Sequence, residues 1–574
     1  MQKISILPDL LINKIAAGEV IERPASVVRE LIDNAIDAEA SRIDVEVVHG
    51  GRKLIKVSDN GGGMDRDDAV LCFERHATSK IRAEEELFNI TTLGFRGEAL
   101  PSIASVSKVT LTTSTEGSTA GTRIEIGANR NRNMAEAPPV RGTTVEIRDL
   151  FYNTPARRKF LKTVPTELSH IIETVVQKAF AHPAIAFTLL HNGNELLNAP
   201  AAGGLRERLA QLYGDEMAAE FLDVKKDSKS MEINGFVSTP DVSRAGRSHQ
   251  MIFVNRRPVK NATINHAVYH ACREGIAKDR HPAYFLFLDI DPQRVDVNVH
   301  PAKREVKFER PEDIHRFVGA AVYEALNPGC EIDLSAPTPV RGAGGFRGTD
   351  YQLHRQDSPS VGEHASPGFS ASQQDFFASG LARHVQPFFH VGESFVATVT
   401  NDGLLIVDQH AAHERIMYER FLKKTSLESE PLFLPMRIEL PLREYQLIIR
   451  EKDLLRGFGI DLDEFGGNNV IIRSLPRALN KADLKGLLMD VAAGIVEEQT
   501  EGIRDESGDD LLKNIAARLA CHRSVRGSEH LGNEELSHMI GDLDQADEPD
   551  KCPHGRPTRI RLSLDDLKKM FRRK

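Results

Sequence analysis

The stretch SVVRELIDNAIDAE, Ser26 to Glu39, constrains this chain more than any other segment. At 100° per residue, Val27, Val28, Leu31, Ile32, Ala35, Ile36 and Ala38 fall on one broad arc, which reads as an amphipathic helix. Glu30, Asn34 and Asp37 sit at i, i+4 and i+7 on the other side and form one polar stripe. Ser26 is placed to cap the helix, and Pro24 suits a helix start. A carboxylate one turn from an amide can hold a hydrated Mg2+ and activate a water, which is the chemistry of nucleotide hydrolysis. Taken alone, such a stripe is more often a solvated face. The downstream motifs tip it toward chemistry.

Leu54, Ile55 and Val57 read as a buried strand ending at Asp59, followed by Gly61, Gly62 and Gly63. A carboxylate at a strand end can accept the exocyclic amine of adenine, and the glycines let backbone approach a flat ligand. The bland alternative is an ordinary Asp-Asn-Gly turn. A second cluster, RHATSKI and TLGFRGEAL, places Gly94 and Gly97 around Phe95 and Arg96, with a helix expected to start near Glu98. Free N–H groups at such a start bind phosphate. No G-x-x-x-x-G-K-[ST] pattern occurs, so a Gly-rich lid fits better than a P-loop.

The C-terminal part carries a second chemistry. LLIVDQHAAHERIMYE predicts a strand from Leu404 to Val407 ending at Asp408 and running into a helix. His410 and Glu414, four apart, share a helix face. Cys552 and His554 are two apart in the extended CPHGRP run, and Cys521 lies in LACHRS. Carboxylate, imidazole and thiolate together suit Zn2+ or a similar transition metal. Each motif singly has a packing explanation; their convergence favours a metal.

Lys and Arg number 74 against 83 Asp and Glu, for a net charge of −9, so the whole chain does not advertise a nucleic-acid binder. The basic residues are nevertheless grouped. Arg130, Arg132, Arg141, Arg148, Arg157, Arg158, Lys159 and Lys162 form one set, and Arg244, Arg247, Arg256, Arg257 and Lys260 another. Such groups can neutralise DNA phosphates without reading sequence, although scattered solvated arginines fit equally. Five cysteines, odd in number, do not make a disulfide framework and point to a reducing compartment. No run of about 18 apolar residues exists, and the start MQKISILPDLLINK lacks a secretory pattern, so a cytoplasmic protein without a membrane span is expected.

These segments carry a family resemblance. IAAGEVIERPASVVRELIDNAIDA, DNGGGM, RHATSK, TLGFRGEAL, GTTVEIRDLFYNTPARRKF and VDVNVHPAKREVKF occur in the order seen in the MutL family of DNA mismatch repair proteins. The resemblance implies an α+β and α/β multidomain architecture. Residues 1–215 would form a Bergerat-type ATPase sandwich like those of gyrase, a heat-shock chaperone and histidine kinases. Residues 216–330 would be a small α/β transducer. Residues 386–574 would be an α+β dimerisation and endonuclease domain; within it the helical patterns LREYQLIIREKDLLRGFG and LKGLLMDVAAGIVEE, not the resemblance, mark 436–505 as a candidate regulatory insertion. Between them, residues 331–385 are rich in Gly, Pro, Ser and Gln and read as a disordered linker of about 40 Å r.m.s. span. By position, Glu30 would be the general base, Asn34 a Mg2+ ligand and Asp59 the adenine reader. Gly61, Gly63, Thr78, Ser79, Lys80, Gly94, Phe95, Arg96, Gly97 and Thr143 would surround ATP, and Lys303 would reach the γ-phosphate from the transducer. That last reach would let the γ-phosphate report on the relative position of two subdomains.

The pattern from Asp408 to Glu419 also resembles the endonuclease signature of a subset of this family. Asp408, His410, Glu414, Cys521, Cys552 and His554 would then hold Zn2+ or Mn2+, with Asp408 and Glu414 catalytic and Arg556 on a DNA phosphate. ACH stands where many members have ACR. In SEPLFLP, Ser429 replaces the glutamine of a sliding-clamp-binding segment; QQDFF, with Gln373, Phe376 and Phe377, is an alternative clamp ligand. The expected protein is an ATP-gated homodimer that closes on double-stranded DNA through Arg157, Arg158, Lys159, Arg256, Arg257 and Lys260. It would answer to a MutS-type mismatch sensor and nick one strand. The alternative is a non-catalytic matchmaker with a structural metal site.

Overall fold

The computed structural model describes residues 21–571 apart from 81–91, 95–96, 128–131, 240–241, 244–245, 248, 274–275, 277–279, 297–305, 331–387, 393, 401, 424–428, 480–482, 502–508 and 524–530.

The first helix, α1, runs Pro24–Asp37. Of the expected apolar arc, Val27, Val28, Leu31, Ile32 and Ala35 are buried and Ile36 and Ala38 half-buried, while the acidic Asp33 is buried as well. The expected Ser26 cap is corrected. The helix begins two residues earlier, because Pro24 takes the first helical position after Arg23, and the Ser26 N–H bonds to the Arg23 carbonyl at 3.0 Å. β1 (Arg42–Val48) and β2 (Leu54–Asp59) follow, then α2 (Arg66–Leu71), α3 (Ala99–Val106), β3 (Lys108–Ser114), β4 (Gly121–Ile126), β5 (Arg132–Ala137) and β6 (Gly142–Arg148). α4 (Pro155–Phe160), α5 (Val164–Ala181), β7 (Ala186–His191), β8 (Asn194–Ala199), α6 (Leu205–Tyr213) and α7 (Asp215–Ala219) complete the unit.

The eight strands form one sheet in the order β5-β4-β3-β6-β2-β1-β7-β8. Only the β1–β7 pairing is parallel. Alternating Ile43, Val45 and Val47, with Ile55 and Val57 beside them, present one apolar face to α1 and α5. Burial of that face is the main stabilising term. It fixes α1 by its apolar arc and leaves the polar stripe outside the core.

β9 (Phe221–Asp227), β10 (Met231–Ser238), β11 (Gln250–Val254), β12 (Arg257–Val259), α8 (Ala262–Ala271), β13 (Tyr284–Ile290), β14 (Val295–Asp296), β15 (Lys307–Phe308) and α9 (Pro311–Leu326) make the second unit. Its main sheet runs β12-β11-β13-β10-β9, and α8 and α9 pack together over a core including Val268, Leu286 and Phe317. Phe180 of α5 meets Phe253, Phe285 and Phe287 at ring separations of 6.1, 5.0 and 5.5 Å, joining this sheet to the first core.

The last unit has β16 (Phe388–Val391), β17 (Phe395–Thr400), β18 (Gly403–Asp408), α10 (Gln409–Lys423), β19 (Ser429–Glu439), α11 (Leu442–Arg450), α12 (Lys452–Gly457), β20 (Asp461–Glu464) and β21 (Asn469–Pro476). Then come α13 (Leu484–Glu501), α14 (Asp509–Arg523), α15 (Asn533–Asp544), β22 (Arg559–Ser563) and α16 (Leu564–Met570). β16-β17-β18-β22 form one sheet and β19-β21-β20 another. The segment 436–505 packs back on the first two units, a contact without a local sequence signal. Leu442 joins the N-terminal core, Arg443 reaches Glu173 at 3.8 Å, and buried His249 and Glu444 stand 3.6 Å apart. No described helix is long and apolar enough to cross a membrane.

Candidate functional sites

The polar stripe of α1 faces the described parts of the glycine-rich segment. Lys80 Nζ donates to Asn34 Oδ1 at 2.9 Å and to Asp37 Oδ2 at 2.5 Å. Asp37 also accepts from the backbone N–H groups of Leu93 (2.9 Å) and Gly94 (3.1 Å). One carboxylate thus ties α1 to Lys80 on one side of residues 81–91 and to Leu93 and Gly94 on the other. Asp37 stood in the stripe, but sequence reasoning gave it no role, because only the returning chain shows what it holds. Glu30 is partly buried, 3.3 Å from Arg29 Nη2. Thr78 Oγ1 accepts from Lys80 N at 3.2 Å, and Ser79 is exposed.

Asp59 ends β2 as expected. Its Oδ1 accepts from Gly61 N at 2.9 Å and from Thr143 N at 3.3 Å, and Thr143 Oγ1 lies 3.0 Å from Thr113 Oγ1. Burial raises the Asp59 pKa, against those backbone hydrogen bonds that lower it. Gly61 packs so that a Cβ would meet the Ala38 carbonyl oxygen at 2.6 Å, and Gly63, at φ +68°, has no room for one beside Ser114. Both glycines are therefore demanded by close backbone approach. Gly97 stands just before α3, at φ +61°. Phe95, Arg96 and Lys303 lie outside the described residues, as do Gln373, Phe376 and Phe377.

Of the basic residues, Arg158, Lys159, Arg256, Lys260 and Arg556 are exposed and Arg157 is half-buried. Arg257 is corrected as a DNA contact. It is buried and donates to the Thr92 carbonyl at 2.6 Å, linking β12 to the glycine-rich segment. Burial lowers its pKa, which the charges of Asp33 and Asp37 oppose. Asn255 and Arg256 take positive φ at the hairpin tip, so Arg256 points out and Arg257, paired with Val254, points in.

At the C-terminal unit, three segments converge. α10 brings His410 and Glu414, 3.2 Å apart; α14 brings Cys521, whose Sγ donates to Glu414 Oε1 at 3.1 Å. The turn after Cys552 brings His554, with Nδ1 3.5 Å from Glu414 Oε2 and Nε2 3.5 Å from Cys521 Sγ. One ligand atom each from Glu414, Cys521 and His554 lies within 4.8 Å of the others. Burial pushes the Glu414 pKa up, but hydrogen bonds from His410, His554 and Cys521 outweigh it and hold the carboxylate well below its usual range. Hydrogen bonding to Cys521, Cys552 and Glu414 pushes His554 up to about 12, and burial raises the Cys521 thiol. A donor set that binds a proton this tightly is one where cation and proton compete. Buried Glu414 Oε2 stands 3.5 Å from His554 Nδ1, and a carboxylate oxygen, a thiol and imidazoles gathered in this way fit a transition metal.

Asp408 lies outside that tightest group; its Oδ1 accepts from the N–H groups of His410 (3.0 Å) and Ala411 (3.1 Å) at the start of α10. Glu419 is structural: it accepts from Asp547 N at 2.8 Å and bonds Lys423 at 3.1 Å. Ser429 donates to the Gly459 carbonyl at 2.8 Å, while Phe433 of β19 is 99% exposed.

Comparison with known proteins gives three family matches. Residues 21–151 match the histidine kinase-, DNA gyrase B- and HSP90-like ATPase family. Residues 209–327 match the C-terminal domain of DNA mismatch repair proteins, and residues 389–531 the MutL C-terminal dimerisation domain. The DNA mismatch repair protein MutL of Syntrophotalea carbinolica is 40% identical over 631 residues, covering 100% of each chain. That of Thermodesulfovibrio yellowstonii is 38% identical over 583 residues, again covering 100% of each.

Proposed function

The chain belongs to the MutL family of DNA mismatch repair proteins, with an ATPase domain and a C-terminal dimerisation domain, and from that premise we propose that it is an ATP-gated homodimeric DNA clamp that nicks one strand. The observation that carries the cutting half is the meeting of Glu414, Cys521 and His554 from segments far apart in sequence. His410 beside them and Cys552 next to His554 complete a set suited to Zn2+ or Mn2+. A bound ion there would supply Lewis acidity and a water of lowered pKa for phosphodiester hydrolysis. Around it, Glu414 holds negative charge at neutral pH, and exposed Arg556 offers a guanidinium for a DNA phosphate.

At the front, Glu30 is proposed as the general base and Asn34 as the Mg2+ ligand, with Asp59 and Thr143 at the adenine end. Lys80 would exchange its carboxylate and amide partners for phosphate when the lid closes. Lys303 and the lid residues Phe95 and Arg96 belong to the same proposal. Exposed Arg158, Lys159, Arg256 and Lys260 would touch DNA without reading its sequence, so affinity should fall steeply with salt. Double-stranded DNA, a MutS-type sensor and the sliding clamp are the partners this reading carries.

The second reading is a matchmaker whose metal is structural. It draws on Asp408, one of whose oxygens is already taken by two helix N–H groups. Nicking of closed-circular DNA with Mn2+ separates the two. The wild type should nick, and Glu414→Gln and Cys521→Ser should lose nicking while keeping ATP turnover. A wild type that binds metal and turns over ATP but leaves DNA intact would establish the matchmaker.

A further inference from the structure

α8 and α9 lie side by side on the transducer sheet, held by buried Ile264, Ala267 and Val268 on one and Ile314, Phe317 and Val318 on the other. On their outer side three imidazoles meet. His266 and His270 are one turn apart on α8, both exposed, and His315 of α9 faces them. His266 Nδ1 and His315 Nε2 are 2.8 Å apart. Ring centroids lie 5.0 Å apart for His266 and His315, 6.2 Å for His270 and His315, and 6.4 Å for His266 and His270. None of the three belongs to the nucleotide site or the C-terminal donor group.

The bland explanation is one imidazole donating to another on a wet surface. It accounts for two rings and leaves the third without a reason. An i, i+4 histidine pair on one helix is the spacing that grips a metal in H-E-x-x-H helices. A third histidine from a packed neighbour completes three nitrogen donors on a backbone that the core already holds still.

We propose that His266, His270 and His315 form a surface site for one late first-row transition dication of the zinc, copper and nickel class. Imidazole nitrogen suits these ions, and an all-oxygen cation such as Mg2+ or Ca2+ would be refused. Metal–nitrogen bonds of about 2.0–2.1 Å in a tetrahedron put the nitrogens roughly 3.3 Å apart. The His266–His315 pair is already near that spacing, and His270, its ring centroid 6.2 Å from that of His315 and 6.4 Å from that of His266, would have to swing inward to complete the set. The fourth position faces solvent. A bound ion would pin α8 to α9.

The test uses full-length, tag-free protein stripped of metal and titrated with Co2+. The C-terminal group contains a thiolate, so its cobalt complex shows a sulfur-to-metal charge-transfer band, which an all-imidazole site lacks. The wild type should take up a second equivalent with visible tetrahedral bands and no added charge-transfer intensity. Cys521→Ser should weaken the charge-transfer band, to which Cys552 also contributes, and keep that uptake. His270→Gln and His315→Gln should each weaken it by about tenfold or more, the least that loss of a direct ligand is expected to cost. Exposed His270 makes the folding control, since its variant should melt with the wild type in chelator. Equal stoichiometry and equal spectra for wild type and the triple His→Gln variant would overturn the proposal. So would an uptake that Cys521→Ser removes entirely.

Discussion

Lys80 Nζ stands 2.5 Å from Asp37 Oδ2, and the same carboxylate receives the backbone N–H groups of Leu93 and Gly94. A single side chain on the helix that carries Glu30 and Asn34 therefore latches Lys80 on one side of residues 81–91 and Leu93 and Gly94 on the other. Hydrogen bonds to a charged acceptor contribute about 1.5–3 kcal/mol each. Asp37→Ala should raise amide hydrogen exchange at Leu93 and Gly94 by tenfold or more and lower ATP turnover. Unchanged exchange at those two amides would rule out the latch.

Asp33, on the inner side of the same helix, pairs with Lys178 of α5, and both are buried. Breaking a buried pair from one side strands a charge at a cost of about 3–5 kcal/mol, whereas replacing both partners with apolar groups is often neutral. Lys178→Met and Asp33→Asn should each lower the urea midpoint strongly. Asp33→Leu/Lys178→Met should recover most of the loss. Additive losses in the double variant would argue against the pair as the cause.

What was legible in the sequence was local. The apolar arc of α1, the strand ending at Asp59, the helix after Glu98 and the His410–Glu414 face follow from periods of two and 3.6 residues. What escaped depends on chain segments returning from a distance. Asp37 and Glu419 looked like other acidic residues on a helix until the lid and the segment at Asp547 arrived to be held. Arg256 and Arg257 are indistinguishable as letters, and only a two-residue hairpin turns one out and the other in. The packing of α11 against α5 has no periodic signal at all. Cys521, Cys552 and His554 were singled out because thiols are few in this chain and their motifs converge with a family pattern, and the structure brings Cys521 and His554 to Glu414.

His182 ends α5, where burial first, then the charges of Lys178 and Arg256, lower its pKa to about 4. In the unfolded chain it titrates near 6.5. Between these values the unfolded state binds the extra proton, so stability is fully present above pH about 6.5, declines as pH falls toward 4, and levels off below. The whole effect is roughly 3 kcal/mol. His182→Gln should flatten that part of the profile. Denaturant melts of both proteins at pH 7 and pH 4.5 decide it: equal acid losses would show that other groups carry the dependence.

The outer face of the sheet β16-β17-β18-β22 carries Phe389, Val391, Phe395, Val399 and Ile560, all exposed, while Val396, Leu405 and Val407 point inward to α10 and α15. An apolar sheet face of this extent calls for a partner, and residues 389–531 match a dimerisation domain. Val399→Glu/Ile560→Glu should convert a dimer to a monomer in sedimentation velocity, with ATP binding retained. A dimer that survives both charges would place the interface elsewhere.

Glu419 bonds Asp547, Glu548 and Lys423 rather than any of the proposed metal donors, and it holds the segment that delivers two of them. It accepts from Asp547 N and Glu548 N, and neighbouring Arg415 donates to the Lys551 carbonyl one residue before Cys552. Loss of the carboxylate frees two backbone donors and loosens the approach of Cys552 and His554. Outer supports of a metal site are commonly worth about 10–100-fold in affinity. Glu419→Ala should therefore weaken Co2+ binding at the thiolate-containing site by about that factor, with ATP turnover unchanged. Glu419→Gln, which keeps an acceptor oxygen, should restore part of it. If Glu419→Ala binds cobalt as tightly as the wild type, the cluster is held by α10 and α14 alone, and the Asp547 segment follows rather than positions it.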